Sequence, residues 1–305
     1  MQAMNDPRLH VVIPYFNHTN ARVNRRNLEL CLRYLSINPD CLVVLVEGIW
    51  NREAELPDFS GRIFRHLKFD LSNAIWVKEN LINLGIASLG EEWECAAWID
   101  KDLLFLDPDW ALKTMRKLGE CDLIQPWSRC LSLDGSCEID ESEDERHYLT
   151  EGDPKGSRSF CYAREHPPLI PCRTGMAWAI RKSFYRRIGK LFDQCIIGGG
   201  DAGMTASINQ RSDLPQLQFY GELFRDYSKP FDGVKTGYLN GSIVHHYHGE
   251  TKRRIYLPRY ALLASWGFDG RRDLTYAENG TLRLSNPVVE KGIAEYFLSR
   301  EEYLV

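Results

Sequence analysis

The sequence has no long apolar segment. None of its 305 residues belongs to a run that approaches the roughly 18 consecutive apolar residues needed by a membrane-spanning helix. Residues 1–10 also have no apolar core of the kind that marks a signal peptide. A chain of this length can bury a sizeable core. These features predict a soluble protein that is made and kept in the cytoplasm.

Paired cysteine motifs are also missing. The nine cysteines are odd in number, and no two of them form a C-x-x-C pair. Most of them have apolar neighbours, which is typical of reduced thiols in a core. The sequence therefore predicts neither a disulfide framework nor a cysteine-bound zinc ion.

The sequence has no excess of positive charge. Its 38 basic and 42 acidic residues give a net charge of −4, so no overall positive field predicts binding to nucleic acid. One local exception lies near the end of the chain and leaves such a partner open. This basic cluster consists of Lys252, Arg253, Arg254, Arg259, Arg271 and Arg272.

Apolar runs alternate with helical patterns, which is typical of an α/β protein with a mostly parallel sheet. Strands are predicted at residues 10–15, 41–47, 75–78, 95–99, 122–127, 176–180 and 242–247. Helices are predicted at about 28–35, 86–94, 107–118 and 182–188, after residue 201, and at 256–266 and 287–297. Residues 128–171 show no periodicity, which predicts a long loop acting as a lid or acceptor platform. We expect a catalytic domain at 1–250 and a helical C-terminal extension at 251–305.

Asp100-Lys101-Asp102 follows an apolar strand that ends in Trp98-Ile99. Ligands bind at the carboxyl ends of strands in open α/β sheets, and this motif lies at such an end. Two carboxylates on a turn can hold a divalent cation, which neutralises the phosphates of a leaving nucleoside diphosphate. The motif alone is common on protein surfaces, but its position favours a metal site.

A histidine cluster, His245-His246-Tyr247-His248-Gly249, ends the last predicted strand. Neutral imidazole binds manganese-like ions, so a histidine beside the aspartates could complete the coordination. Arginines 253, 254 and 259 follow and indicate an anion site. The sequence does not rank the three histidines as ligands.

Gly198-Gly199-Gly200-Asp201 is a glycine-rich turn before a helix. Glycines let a backbone approach a ligand, and Asp201 could deprotonate an acceptor hydroxyl group within hydrogen-bond reach. The alternative is that Asp201 only caps the helix. The spacing does not decide between these two interpretations.

Several motifs in one order resemble the glycosyltransferase family 2 superfamily. They are V-V-I-P-Y-F-N (11–17), V-E-G (46–48), K-E-N-L-I-N-L-G-I-A (78–87), W-I-D-K-D (98–102), T-G-M-A-W-A-I-R-K-S-F-Y (174–185) and G-G-G-D-A-G-M (198–204). The resemblance covers roughly residues 9–250. It implies the GT-A fold, a Rossmann-like mixed and mostly parallel sheet flanked by helices.

The resemblance also implies roles for individual residues. The donor nucleotide would contact Pro14, Tyr15, Phe16, Asn17, Glu47, Lys78, Asn83 and Asp100. Apart from the resemblance, the planar guanidinium group of Arg253 or Arg254 could bind its phosphate oxygens. Asp102 would bind the metal, Asp100 the ribose or the metal, and His245 or His248 would supply another ligand. Inverting members commonly carry two acids after the glycines, whereas here Gly200 takes the place of the first, so Asp201 is the candidate base.

These roles predict a metal-dependent inverting glycosyltransferase that uses Mn²⁺ or Mg²⁺ and a nucleotide sugar, with a UDP-sugar preferred. The acceptor would be a glycan or small-molecule hydroxyl group, with a hydroxylated base of phage-type DNA as a second option. One rival is a nucleotidyltransferase, but Pro14-Tyr15-Phe16-Asn17 is not the glycine-rich phosphate loop that it predicts. Another is a non-catalytic module that binds carbohydrate or nucleic acid.

Overall fold

The computed structural model of the chain describes residues 8–52, 55–59, 61, 63–134, 157–166, 172–211, 215–249 and 258–300. Its strands are β1 (Leu9–Phe16), β2 (Cys41–Ile49), β3 (Arg65–Asp70), β4 (Cys95–Ile99), β5 (Leu103–Phe105), β6 (Leu123–Gln125), β7 (Arg129–Ser132), β8 (Ser157–Ser159), β9 (Cys172–Arg173), β10 (Ala177–Arg181), β11 (Thr236–Tyr238), β12 (Ser242–His245), β13 (Leu274–Tyr276) and β14 (Leu282–Leu284). Its α-helices are α1 (Arg22–Ser36), α2 (Lys78–Ala87), α3 (Trp110–Leu118), α4 (Phe160–Glu165), α5 (Lys182–Ile188), α6 (Gly200–Ile208), α7 (Glu222–Ser228), α8 (Pro258–Ser265), α9 (Gly270–Asp273) and α10 (Pro287–Ser299).

The central sheet has the strand order β11-β6-β10-β4-β1-β2-β3. β10 runs antiparallel to both of its neighbours, and the other strands are mutually parallel. The carboxyl ends of β1, β4 and β6 therefore meet at one edge of the sheet. This is the mixed, mostly parallel sheet that the sequence predicts.

Helices cover both faces of this sheet. The faces alternate along β1, where Val12 belongs to one buried apolar cluster and Val11 and Ile13 belong to the other. α2 packs against β1 and β2 on the first face, whereas α1 and α3 pack on the second. Because both faces are buried, β1 and β2 are almost continuous apolar runs, as parallel strands between two helical layers require.

A second sheet brings distant parts of the chain to the carboxyl edge. Its order is β5-β12-β7-β8-β9, with β12 antiparallel to β5 and parallel to β7. β5 follows the Asp100–Asp102 turn, and β12 leads into the histidine cluster. This pairing is what places the two predicted metal-binding motifs side by side.

The C-terminal part contains the predicted helices α8 and α10 together with the short α9 and the antiparallel hairpin β13-β14. Asn286 caps α10, since its side chain accepts hydrogen bonds from the amides of Val288 and Val289. The buried apolar side chains of this part join the cluster that also contains Val12 and Trp98. The hairpin was not predicted, and the domain boundary at residue 250 stays a prediction. No helix among the described residues is long and apolar enough to cross a membrane.

Three local predictions are wrong. The helix predicted at about 86–94 is instead α2, which begins at Lys78 and ends at Ala87. Residues 75–77 form an irregular buried segment and Lys78 begins α2, so the third strand is instead β3, an edge strand whose side chains are largely polar and half exposed. The 128–171 region is not one long loop, because β7, β8 and α4 lie within it. Residues 135–156 and 167–171 lie outside the described ranges.

Candidate metal and transfer site

The candidate site lies at the carboxyl edge of the central sheet. Asp100 directly follows β4, and its amide donates a hydrogen bond to the carbonyl of Met176, which precedes β10. β1, the parallel neighbour of β4, ends nearby at Phe16. This edge is where open α/β sheets bind ligands.

Backbone contacts bring the histidines to Asp102. His245 pairs with Leu103 in the β12–β5 ladder, and the His246 amide donates a 2.8 Å hydrogen bond to the carbonyl of Asp102. The loop is also held from α1, where Asn27 Nδ2 donates to the carbonyl of Tyr247 at 3.0 Å. The β12–β5 pairing therefore places His245 and the histidines that follow it next to Asp102.

Asp102, His245 and His248 form a cluster of three buried groups that could hold a metal ion. The two imidazole Nε2 atoms are 3.1 Å apart. Nε2 of His245 lies 3.7 Å from Asp102 Oδ1, and Nε2 of His248 lies 3.4 Å from Asp102 Oδ2. A single cation could therefore contact all three side chains.

The chemistry of this cluster fits a divalent cation. Oδ1 of Asp102 is buried and has no hydrogen-bond partner within the described ranges, which is costly for an oxygen that carries charge. Burial raises the pKa of Asp102, but Lys101, His248 and His245 outweigh it and hold this pKa well below its usual range. An ionised carboxylate with two imidazoles is a donor set that suits Mn²⁺ and similar ions.

Lys101 is a neighbour of this site that the sequence interpretation missed. Its Nζ lies 3.0 Å from Asp102 Oδ2, and its side chain is largely buried. The ammonium group therefore neutralises the same carboxylate that a metal ion would bind. Its position inside the Asp-x-Asp motif could have suggested this contact, but the direction of its side chain depends on the fold.

Asp100 points to a second group of charges. Lys78 Nζ lies 2.6 Å from Asp100 Oδ1 and 2.9 Å from Asp201 Oδ2. Asp100, predicted as a donor or metal ligand, is therefore held by Lys78 and does not belong to the three-residue metal cluster described above. The bridge also joins the end of β4 to the first turn of α6.

The pKa values in this bridge reflect its burial. Desolvation lowers the pKa of Lys78, but Asp100 and Asp201 more than compensate and raise it well above its usual value. Desolvation raises the pKa of Asp100 to about 6, and Lys78 opposes that change. The lysine therefore remains charged between two acids.

The glycine-rich turn is filled by the protein's own side chains. A β-carbon on Gly198 would lie 3.2 Å from Arg259 Nη1, and one on Gly199 would lie 2.0 Å from the Tyr260 hydroxyl oxygen. A β-carbon on Gly200 would overlap Glu79. These glycines thus allow close packing against α2 and α8, and the predicted approach of a ligand to this side of the turn is wrong.

The position of Asp201 does not support the capping interpretation. The N-cap residue of α6 is Gly199, in a left-handed conformation with φ 103, and no side chain caps the helix. Asp201 instead turns its carboxylate to Lys78. A β-carbon on Gly175 would lie 3.0 Å from Asp201 Oδ2, so Gly175 leaves this carboxylate accessible from its own side.

The predicted donor residues of β1 lie at the expected edge. Pro14 and Tyr15 are buried in the strand, and Asn17 holds the turn into α1 through hydrogen bonds with the backbone of Ala21. The ring of Phe16 is half buried and meets Trp76 edge to face at 5.1 Å. Phe16 thus keeps part of its surface available to a ligand.

Glu47 and Asn83, which were predicted to contact the donor, form hydrogen bonds with other groups of the protein. Glu47 accepts a 2.7 Å hydrogen bond from the amide of Leu56, and its second oxygen lies 3.0 Å from His66 Nε2. Asn83 donates to the carbonyl of Leu191 and accepts from the amide of the same residue, both at 2.9 Å. The Asn83 side chain therefore points to the segment around Leu191 and not to Asp100 or Asp102.

The described members of the basic cluster do not form an open positive patch. Arg259 is buried against the glycine turn, Arg271 Nη2 lies 3.1 Å from Glu222, and Arg272 Nε lies 2.7 Å from Asp273. Lys252, Arg253 and Arg254 lie outside the described residues. The local exception that left a nucleic-acid partner open is therefore not supported by these three arginines.

No protein-family model and no curated protein matches the sequence. The fold is similar to TarS of S. aureus, with 10% identity over 84% of this chain and 64% of that chain and a TM-score of 0.46. It is similar to Drosophila β1,4-galactosyltransferase 7 in complex with manganese, UDP-Gal and xylobiose, with 9% identity over 77% of this chain and 67% of that chain and a TM-score of 0.41. It is also similar to 4-diphosphocytidyl-2C-methyl-D-erythritol synthase of Anaerococcus prevotii, with 13% identity, 77% and 90% coverage and a TM-score of 0.38. We therefore argue function from the site itself.

Proposed function

We propose that this chain is a metal-dependent glycosyltransferase that moves a sugar from a nucleotide sugar to a hydroxyl acceptor. The observation that carries this proposal is the convergence of Asp102, His245 and His248 beside the bridge formed by Asp100, Lys78 and Asp201. A cation at this sheet edge would stabilise the diphosphate leaving group. A carboxylate of the second group would accept the proton of the acceptor.

Asp102, His245 and His248 would hold Mn²⁺ or Mg²⁺. When bound there, the ion supplies positive charge that neutralises the leaving diphosphate. Asp100 is 28% exposed on its side chain, so it can contact the donor while Lys78 keeps it in place. Phe16 would line the nucleoside side of the site, and Arg253 stays a candidate for the phosphates.

Asp201 is the proposed base. Its side chain is 20% exposed, its Oδ2 is held by Lys78, and Gly175 leaves room next to it. Asp201 would accept the proton of the acceptor hydroxyl group as the oxygen attacks the anomeric carbon. Direct attack opposite the leaving group inverts the configuration at that carbon.

A saccharide or small-molecule hydroxyl group is the acceptor that we propose. Arg259, Arg271 and Arg272 are buried or lie near acids, so they do not form the row of accessible cations that a DNA backbone needs. We propose a UDP-sugar as the first donor to test and the cytoplasm as the location. Hexosyl and pentosyl donors belong in the same screen.

Nucleotide binding tests the proposal directly. The experiment measures thermal stabilisation of the protein by UDP, GDP, CMP and their sugars, with and without Mn²⁺, followed by nucleotide release with candidate acceptors. It compares the parent chain with Asp102→Asn and with the control Asp109→Asn, whose side chain is 67% exposed and lies outside the site.

We expect one nucleotide family to stabilise the parent and Asp109→Asn in the presence of Mn²⁺. Asp102→Asn should lose at least about tenfold in Mn²⁺ affinity, equivalent to ~1.4 kcal/mol, because it removes the anionic ligand. Nucleotide binding that is the same with and without Mn²⁺ in all three proteins would contradict the proposed metal role. Absence of nucleotide binding under every condition would favour the binding module.

A further inference from the structure

Glu79, the second residue of α2, is buried against the start of α6. Its relative exposure is 5%. A β-carbon on Gly200 would lie 2.3 Å from both Cδ and Oε1 of Glu79. The carboxyl group of Glu79 therefore fills the space that a side chain at position 200 would take, immediately before Asp201.

The surroundings favour a neutral carboxyl group. Oε1 of Glu79 is buried without a hydrogen-bond partner in the part of the chain that the structure describes. An ionised carboxylate in that state would be strongly disfavoured. Burial raises the pKa of Glu79 to about 8; Asp201 adds to this increase and Lys78 opposes it.

The neighbouring charges explain why a third anion is disfavoured. Lys78 is the cation of α2 that faces this region, and it is already shared between Asp100 and Asp201. The other titratable groups that interact with Glu79 are Cys195, Tyr220, Tyr227 and Tyr260, while Arg259 packs against the adjacent Gly198. Because Lys78 is shared between two other acids, its positive charge only partly offsets the cost of ionising Glu79.

We propose that Glu79 is a positioning residue for Asp201: its neutral carboxyl group packs on Gly200, fixes the first turn of α6, and keeps the Asp201 carboxylate on Lys78. The inference rests on the proposed function, since the position of Asp201 matters only if this residue takes part in the transfer. Glu79 itself does not touch the acceptor. It acts by occupying space and by adding no negative charge beside Asp201.

Stability as a function of pH tests the neutral state without any substrate. An acid whose pKa is raised in the folded protein contributes stability that is full below its unfolded value, and this contribution is lost as pH rises through the folded value. We therefore expect the Tm of the parent to fall relative to that of Glu79→Gln between about pH 4.5 and pH 8. Glutamine keeps the shape of the side chain but cannot ionise. Parallel pH curves for the two proteins would overturn the inference.

Activity tests the positioning role. We expect Glu79→Gln to keep kcat within about threefold of the parent, and Glu79→Ala to lower kcat at least about tenfold with a donor KM within about threefold. The double variant Glu79→Ala/Gly200→Ala should recover part of that loss, because the new methyl group occupies the vacated space. Glu120→Gln, an exposed acid, is the matched control and should behave like the parent.

The outcomes separate this inference from the proposed function. The positioning role would be overturned if Glu79→Gln lowered kcat as much as Glu79→Ala does. It would also be overturned if Glu79→Ala kept the kcat of the parent. Either result would leave the proposed transferase function intact. If Glu79→Ala does not fold, the kcat values of the double variant and of Glu79→Gln are compared with that of the parent instead. A parent chain without transferase activity would overturn the proposed function, and the positioning role with it.

Discussion

At the scale of single residues, Lys101 occupies the carboxylate that a metal ion would bind in the proposed site. Lys101 Nζ lies 3.0 Å from Asp102 Oδ2, the oxygen that also faces His248. Binding of a cation at the three-residue cluster therefore requires the lysine to weaken this contact. The lysine stabilises the ionised form of the buried aspartate, and we expect it to lower the affinity of the proposed site for metal.

We predict that Lys101→Met raises the affinity for Mn²⁺ by about fivefold, which corresponds to the ~1 kcal/mol expected of such an ion pair. Isothermal titration with Mn²⁺ measures this change in the absence of nucleotide. Lys113→Met is the control, since Lys113 is half exposed and pairs with Asp107. An unchanged or weaker affinity in Lys101→Met would show that the lysine does not compete.

At the scale of secondary structure, α2 approaches the central sheet unusually closely at Gly85. A β-carbon there would lie 2.6 Å from Cγ1 of Val12 and 2.8 Å from Cγ2 of Val46. Both valines are buried in the sheet and cannot easily move. The same helix carries Lys78 and Glu79 at its first turn, so its seating on β1 and β2 also positions the site.

We predict that Gly85→Ala lowers the free energy of unfolding. Overpacking costs about 1–3 kcal/mol, and this exceeds the gain of up to ~1 kcal/mol that alanine brings to a helix interior. Chemical denaturation measures the difference. Gly241→Ala should change stability by less than about 0.5 kcal/mol, because no atom lies within 4 Å of a β-carbon placed there. Equal stability of the two variants would contradict the close approach.

The sequence predicts elements well where burial produces a clear pattern. β1, β2 and β4 are continuous apolar runs because they are covered on both faces, and each was predicted within two residues at either end. β3 was missed because it lies at the sheet edge with polar and half-exposed side chains. Ile75 and Val77 were predicted as strand because they are apolar. They are apolar because they are buried, although they belong to a connecting segment.

The proximity of Asp102, His245 and His248 could be predicted because these residues lie at or just after the ends of strands. Asp102 and His248 each follow an apolar run, and strand pairing is enough to bring them together. Lys101 and Glu79 could not be predicted, since their roles depend on side-chain directions set by packing. Glu79 is flanked in the sequence by Lys78 and Asn80, and these polar neighbours give no sign that the acid is buried.

At the scale of the whole molecule, the C-terminal segment completes the core. Leu263, Leu282, Val289, Ile293 and Phe297 are buried in the same apolar cluster as Val12 and Trp98. Backbone amides of the β14 strand also donate to α2 and the segment before it: Leu282 to Asn80 at 3.0 Å and Leu284 to Asn73 at 2.8 Å. This segment and the central sheet share one core.

We predict that a chain ending at residue 257 does not fold cooperatively. The truncation removes these five buried side chains, each contributing about 1.5–3 kcal/mol, against a total stability of about 5–15 kcal/mol. It also exposes the apolar surface of the remaining core that they cover. Thermal unfolding followed by circular dichroism measures the result. Leu298→Ala in the full chain is the control, because this side chain is 53% exposed. A sharp transition in the truncated chain would support an independent domain at 1–250.

The pairing of β12 with β5 has a consequence for how the chain reaches its folded state. Asp102 and His245 are about 140 residues apart in the sequence, so their meeting closes a very long loop, which is a slow kind of contact to form. Coordination of a metal ion by all three side chains can occur only after that closure. An ion bound at the proposed site would therefore report a late step of folding, and we expect metal uptake during refolding to lag behind the appearance of helical structure.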